Sequence, residues 1–207
     1  MPLAFADIAF TPQVRAEQER QGSGTAYGRF LSDDRMGGDR LGPEEIAFLT
    51  QRDGFYQASV SETGWPYVQF RGGAPGFLQV LDETTLAYGD LRGNRQYIST
   101  GNLTHSPRVS IIAIDYPNQR RLKLWGEAEL IDPSQDPDLL ARLRPGVGPR
   151  LSTVERIVKI RVAAVDWNCP RHIPRRFTIE ELEPEIDMLR NQLSDLMAEN
   201  AALKRAK

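Results

Sequence analysis

Between residues 54 and 91 the chain runs through four short apolar stretches, FYQASVSE, WPYVQFRG, GFLQVLDE and TTLAYGD. Each is rich in aromatic and β-branched residues, and the links between them (ETG, GGAPG, DE) are turn-forming. Links this short cannot carry the crossover that parallel strands need, so neighbouring strands must run antiparallel. PRVSIIAID, RRLKLWGEAELID and STVERIVKIRVAAVDW return to strand character further on. Six or seven antiparallel strands with a few inserted helices predict a mainly β (α+β) fold closed into a barrel.

The helices have their own signals. Thr11-Pro12 before QVRAEQERQG supplies an N-cap, a proline at the first helical position and a terminal glycine. In LGPEEIAFLTQRDG, Pro43 starts a second helix, Glu44 and Glu45 fill its first turn and Gly54 follows its end. The glycine-rich stretch 21–40 reads as loop, residues 94–104 as helix, and DPDLLARLR as one more helix between the last two strands. These boundaries divide the chain into an N-terminal arm (1–42), a barrel domain (43–177) and a C-terminal helix (178–207).

That last segment has a different period. Leu182, Leu189, Leu196 and Leu203 recur every seven residues, with Ile186, Leu193 and Asn200 in the intervening position. Leucine at d and a single asparagine at a describe a short parallel two-stranded coiled coil. The competing reading is an amphipathic helix packed on its own barrel, where a buried asparagine would be poorly placed. About three heptads are marginal alone, so such a pairing reinforces a dimer formed elsewhere.

Composition narrows the function. With 207 residues and a formal net charge of −2, the chain lacks the basic footprint of a general nucleic-acid binder. One cysteine, Cys169, excludes an intrachain disulfide and reads as a quiet buried thiol. His105 and His172 are the only histidines, too few with that cysteine for a dedicated zinc site. MPLAFADIAFTPQ has neither the basic start nor the apolar run of a secretory signal, and no window approaches the roughly 20 apolar residues of a membrane span. A cytoplasmic protein with no nucleic-acid or membrane partner is the expectation.

GDLRGNRQYISTGNL (89–103) is the stretch with chemistry in it. A strand ends in Asp90, and Arg92, Gly93, Asn94 and Arg95 crowd the turn into a helix. In WPYVQFRGG, Tyr67, Gln69 and Arg71 share one strand face and Val68 and Phe70 the other. If these segments converge, guanidinium groups and main-chain N–H donors at a helix start suit a phosphate monoester dianion. The alternative is solvated loop arginines paired with Asp90 or Glu62. Arg171, His172, Arg175 and Arg176 likewise suit either an anionic ligand or the acidic start of the following helix.

The succession PYVQFRGG, FLQVLDETTLAYGD, RGNRQYISTGNL, PRVSIIAI and LKLWGEAEL resembles the pyridoxamine 5′-phosphate oxidase-related FMN-binding split-barrel family over roughly residues 43–177. The resemblance implies a six-stranded antiparallel split barrel with peripheral helices, forming a homodimer with FMN in clefts at the subunit interface. Carried over by position, it places Gln69 and Arg71 along the flavin and its phosphate chain, and Asp90 and Arg92 at the ribityl and phosphate. Asn94 and Arg95 would complete the phosphate cradle. Lys123, Trp125, Trp167 and Asn168 would approach the isoalloxazine, from this subunit or the second. The family's ring-gripping C-terminal stretch is replaced by WNCPRHIPRRFT and the heptad segment, which leaves the substrate open. The implied activity is a flavoprotein oxidoreductase drawing on a donor such as NAD(P)H, with Lys123 or an arginine of 171–176 as the positive group near the flavin. The alternative is a non-catalytic module holding a flavin, a deazaflavin (F420) or haem as store, sensor or scaffold.

Overall fold

The computed structural model describes residues 3–32, 37–144, 153–167, 169 and 171–205. The chain divides into two units, one of residues 116–119 with the segment from Arg171 onward, the other comprising the rest.

The larger unit is built on seven strands: β1 (Gly54–Val60), β2 (Pro66–Gly72), β3 (Gln79–Asp82), β4 (Thr85–Leu91), β5 (Arg108–Asp115), β6 (Arg120–Ile131) and β7 (Val154–Trp167). They hydrogen-bond in the order β2-β1-β5-β6-β7-β4-β3, with every pair antiparallel. β1 and β4 are separated by three strands, yet the Tyr88 hydroxyl on β4 donates to Gln57 Oε1 on β1 at 2.9 Å. Phe55 and Tyr88 also meet edge to face at 5.4 Å. The sheet therefore curls until its inner faces touch, while edge strands β2 and β3 do not pair with each other. This is a split barrel. Among the described residues it has seven strands rather than the six that the resemblance implied, GFLQVLDE contributing the short β3. A bulge between Val80 and Asp82 and the Asp82 carboxylate, which accepts from Thr84 N–H at 2.7 Å, turn that strand into β4.

Alternation along each strand sends one set of side chains inward. Phe55, Leu86, Tyr88, Ile111, Leu122, Leu124, Val158 and Ile160 form the core, almost wholly buried. The bulge between Trp125 and Gly126 brings β6 so close to β7 that a Cβ on Gly126 would lie 2.6 Å from the Arg161 carbonyl oxygen. Glycine is required there by sterics.

The helices cover the barrel. α1 (Ala4–Ala9) and α3 (Gly24–Gly28), with a 3₁₀ turn at Arg29–Leu31, fall where the sequence predicts no helix. Phe5, Phe10, Tyr27 and Phe30 explain them: their rings pack at 5.7 to 6.1 Å in a partly buried cluster, and these contacts override the poor propensity of the glycines. α2 (Pro12–Arg20) carries the Thr11 cap, and α4 (Pro43–Thr50) has Pro43 at its first position, both as predicted. The arm is tied to the barrel by Leu41 N–H to the Glu83 carbonyl and Val165 N–H to the Gly38 carbonyl, each 2.7 Å. α5 (Ile98–His105) follows β4, and α6 (Pro137–Leu143) buries Leu139 and Leu143 beside Ala87 and Ile157.

In the smaller unit, Gln119 anchors the segment after Arg171 by donating to the Ile173 carbonyl at 2.7 Å. Arg175 Nε donates back to Gln119 at 3.4 Å, and Arg176 stacks on Tyr116 at 4.9 Å. α7 (Ile179–Arg205) begins with a capping box: Glu181 N–H donates to Thr178 Oγ1, and Thr178 N–H donates to the Glu181 carboxylate. Pro184 lies inside it. Among the described residues no helix is long and apolar enough to cross a membrane. Cys169, expected to be buried, is exposed, because it lies beyond Trp167, where β7 ends.

Candidate anion-binding cleft

Where β4 leaves the sheet, the chain makes the turn 92–97 before α5 begins. Arg95 and Tyr97 adopt left-handed backbone conformations there, with φ of 64° and 52°. Such conformations are costly for residues with a Cβ and cluster where a loop must present groups in a fixed direction. Asn94 holds the turn by accepting from Gln96 N–H at 3.1 Å. The start of α5 has no side-chain cap, so its first-turn N–H donors lack a capping partner, and Ile98, Ser99 and Thr100 border the opening beside it.

A cleft of about 230 Å³ opens at this turn. One wall is the inner face of β2 with Tyr67, Gln69 and Arg71; the other comprises Asp90, the 93–100 turn and the start of β7 with Glu155 and Arg156. Gln69 is oriented by Tyr67, whose hydroxyl donates to its Oε1 at 2.5 Å.

The floor is an ionic network. Asp90 is buried, and its two carboxylate oxygens accept one guanidinium each: Arg71 Nη1 on Oδ1 and Arg156 Nη1 on Oδ2, both at 2.7 Å. Arg156 also donates to Thr100 Oγ1 at 3.0 Å and lies over the Tyr97 ring at 5.1 Å. Glu155 accepts from Arg156 at 3.2 Å, from Arg92 Nε at 3.3 Å and from the Tyr97 hydroxyl at 3.3 Å. Three lining arginines, Arg71, Arg95 and Arg156, face two lining carboxylates, and Arg92, bonded to Glu155 from outside the lining, brings the local surplus to two positive charges. That surplus matches a doubly charged anion. Arg71 Nε is buried without a hydrogen-bond partner among the described residues, a donor that a bound anion could satisfy.

Among the residues singled out from sequence, Gln69, Arg71, Asp90, Asn94 and Arg95 line this cleft together. The buried Asp90 carboxylate, which the resemblance implied at the ribityl and phosphate, holds Arg71 and Arg156 in place. Arg92 sits outside the lining, its side chain half exposed and directed to Glu155. Lys123, Trp125 and Trp167 are not in the cleft of this chain. Lys123 pairs with Asp166 at 3.1 Å and lies over Trp125 at 5.8 Å. Trp167 is held beneath α4, donating to Glu45 at 2.5 Å, packing on Phe48 at 4.9 Å and carrying Arg120 at 4.4 Å. Asn168 lies outside the described residues. Among the described residues there is no cluster of three or more His, Cys, Asp or Glu that could hold a metal.

The sequence reading missed Arg156, the second arginine on Asp90. Its signal was available: Arg156 falls in phase with Val158, Ile160 and Val162, the buried face of β7. An arginine in that phase requires an anionic partner inside.

A family model described as pyridoxamine 5′-phosphate oxidase matches residues 41–166. No curated protein matches the chain. Similar solved structures include HupZ of Group A Streptococcus (14% identity, covering 66% of this chain and 100% of that one, TM-score 0.49). An FMN-binding protein of Syntrophomonas wolfei subsp. wolfei (8%, 74% and 97%, TM-score 0.47) and an F420 reductase (25%, 60% and 98%, TM-score 0.41) are also similar.

Proposed function

Because this chain belongs to the pyridoxamine 5′-phosphate oxidase family, we propose that its cleft binds FMN by the phosphate and that the protein is a flavin-dependent oxidoreductase. One observation carries the reading: Arg71, Arg95 and Arg156 converge with an uncapped helix start, and with Arg92 at Glu155 they outnumber the two carboxylates by two positive charges. A phosphate monoester dianion is the matching group. Arg95 and the first-turn N–H donors of α5 would hold the phosphate, with Arg71 and Arg156 preset by Asp90. Gln69 and Tyr67 would orient the polar chain that follows. Bound FMN would supply hydride or electron transfer to a small molecule, with NAD(P)H as a candidate donor.

We further propose a homodimer that completes the site. Opposed residues in an antiparallel sheet share a face, so the ladders put Phe70, Tyr56, Ile112 and Lys123 in one outward row. Val68, Ala58, Ser110 and Trp125 form the next. Phe70, Val68 and Tyr56 are substantially exposed there, an apolar patch of the kind that marks an interface. Lys123 and Trp125 lie on this face, so in a dimer they would serve the partner's cleft.

The test is the absorption spectrum of untreated protein, followed by mass identification of whatever heat releases. The two-banded spectrum of oxidised flavin and the mass of FMN support the reading; a deazaflavin spectrum, a Soret band or colourless protein overturns it. Replacing Arg92 and Arg95 together by alanine should strip the flavin while leaving the dimer. Retention of stoichiometric flavin would remove the phosphate assignment. A second reading, binding without turnover, is favoured by the Lys123–Asp166 pair, which neutralises the cation expected near the flavin. Bleaching by NADH or NADPH, with reoxidation by an acceptor, decides between them.

A further inference from the structure

The apolar stripe of α7 has no role in the cleft, and its residues are open to solvent: Leu189, Leu193, Leu196 and Leu203 are each more than half exposed. A helix of 27 residues that leaves such a stripe uncovered is completed by a partner. We infer that this partner is the α7 of a second copy of the same chain, packed parallel and in register.

Three features of the chain select that occupant. The first is shape. Isoleucine at two of the four a positions (Ile179 and Ile186, with Leu193 and Asn200 at the others) and leucine at every d favour two strands over three or four. The second is Asn200, at an a position. In a parallel, in-register pair it meets its own copy and the two amides satisfy each other. In an antiparallel pair centred on the middle of the helix it would instead oppose the apolar residues near the other end.

The third is charge. In a parallel dimer each g residue faces the e residue five positions on in the other strand. Glu185 would then face Arg190, and Glu199 would face Lys204, both attractive. Antiparallel packing brings g against g, placing Glu185 opposite Glu199, like against like. Pro184 falls at an f position, on the outer surface of the pair, where its ring meets no partner. Arg190 pairs with Asp187 of the same helix at 3.0 Å, an exposed contact that it can exchange at little cost.

The experiment uses the full chain with the exposed Cys169 replaced by serine, so that an introduced thiol is the sole cysteine. Leu203→Cys and Asn200→Cys lie at one end of α7, where only parallel, in-register helices bring identical positions together. Under mild oxidation both variants should form disulfide-linked dimers, while Asn191→Cys, at an outward f position, should not. Absence of the link in both, or equal linking at position 191, overturns the inference. A substitution of Asn200→Leu supplies an independent readout. It removes the constraint on strand number and should raise the helix pair's thermal stability while broadening the oligomer distribution; an unchanged stability and mass would count against the pairing. The outcome is separable from that of the flavin reading, since helix pairing can hold in a protein that binds no flavin and fail in one that does.

Discussion

Asp90→Asn removes the negative charge that Arg71 and Arg156 share and leaves its shape in place. Both contacts are 2.7 Å, and the three side chains are 7%, 20% and 19% exposed, respectively. At an effective dielectric of about 20, each contact is on the order of 6 kcal/mol of gross attraction. Desolvation of the three ions and repulsion between the guanidiniums offset most of that. Taking one partner from a buried pair costs about 3–5 kcal/mol, because an uncompensated charge stays behind. Partial exposure of the arginines puts the expected loss near the lower end, about 3 kcal/mol. With a urea slope of about 2 kcal/mol per molar, the unfolding midpoint should fall by about 1.5 M. The assay is urea unfolding followed by circular dichroism, at one protein concentration and without added phosphate.

Two comparisons sharpen the result. Arg92→Ala, at a half-exposed pair with Glu155, should move the midpoint by less than about 0.25 M. Adding inorganic phosphate should restore more stability to the Asp90→Asn protein than to the parent, since the variant cleft carries one more positive charge. A midpoint within about 0.25 M of the parent would show that the network is not what holds the two arginines, and the account of the cleft floor would fail.

Other expectations follow from the barrel and its faces. Burial, reinforced by the charge of Asp90 against the opposing pull of Arg71, raises the Tyr88 hydroxyl well above its ordinary range. The unfolded chain loses that proton near pH 10 and the folded one retains it, so this contribution is complete below about pH 10. Above that it is lost at up to about 1.4 kcal/mol per pH unit. Tyr88→Phe should flatten the alkaline slope of stability relative to the parent, at a cost of about 1–3 kcal/mol from the unpaired Gln57; parallel slopes would refute this. Trp167→Phe should lower stability by about 1–2 kcal/mol through loss of its bond to Glu45, with flavin content unchanged; loss of flavin would return Trp167 to the site. Phe70→Glu should dissociate the proposed homodimer, read by light scattering after gel filtration, and an unchanged mass would place the interface elsewhere.

The barrel was legible because its signals are local: period-two runs, short links and turn residues each report on neighbouring positions. The turn from β4 into α5 was legible for the same reason, as Arg92, Gly93, Asn94 and Arg95 announce it within four residues. What stayed hidden depended on partners distant in sequence. Arg156 shares the phase of the buried face of β7, but its partner appears only when β7 is set against β4 and Asp90 is found opposite it in the ladder. The contacts of Trp167 with Glu45 and Phe48 were likewise hidden, since whether an indole meets α4 depends on how the helix crosses the strand end. α1 and α3 were missed because their helicity comes from an aromatic cluster formed by segments on either side of α2.

The split in the barrel explains why fold and site occupy the same residues. A sheet closed by a β2–β3 ladder would satisfy its edges with backbone hydrogen bonds. Here the ladder stops, and β2 reaches β4 through the Arg71–Asp90 ion pair. A side-chain closure of this kind requires charges where a ladder would have buried amides, and charges inside a barrel need a network to be tolerated. Arg156 and Glu155 supply that network, whose two arginines and two carboxylates balance, while Arg95 beside it lines the opening. Closure of the barrel and placement of Arg71 and Arg156 at the cleft thus arise from one set of contacts centred on Asp90, and if the proposed anion binds there, its charge and the protein's stability are coupled.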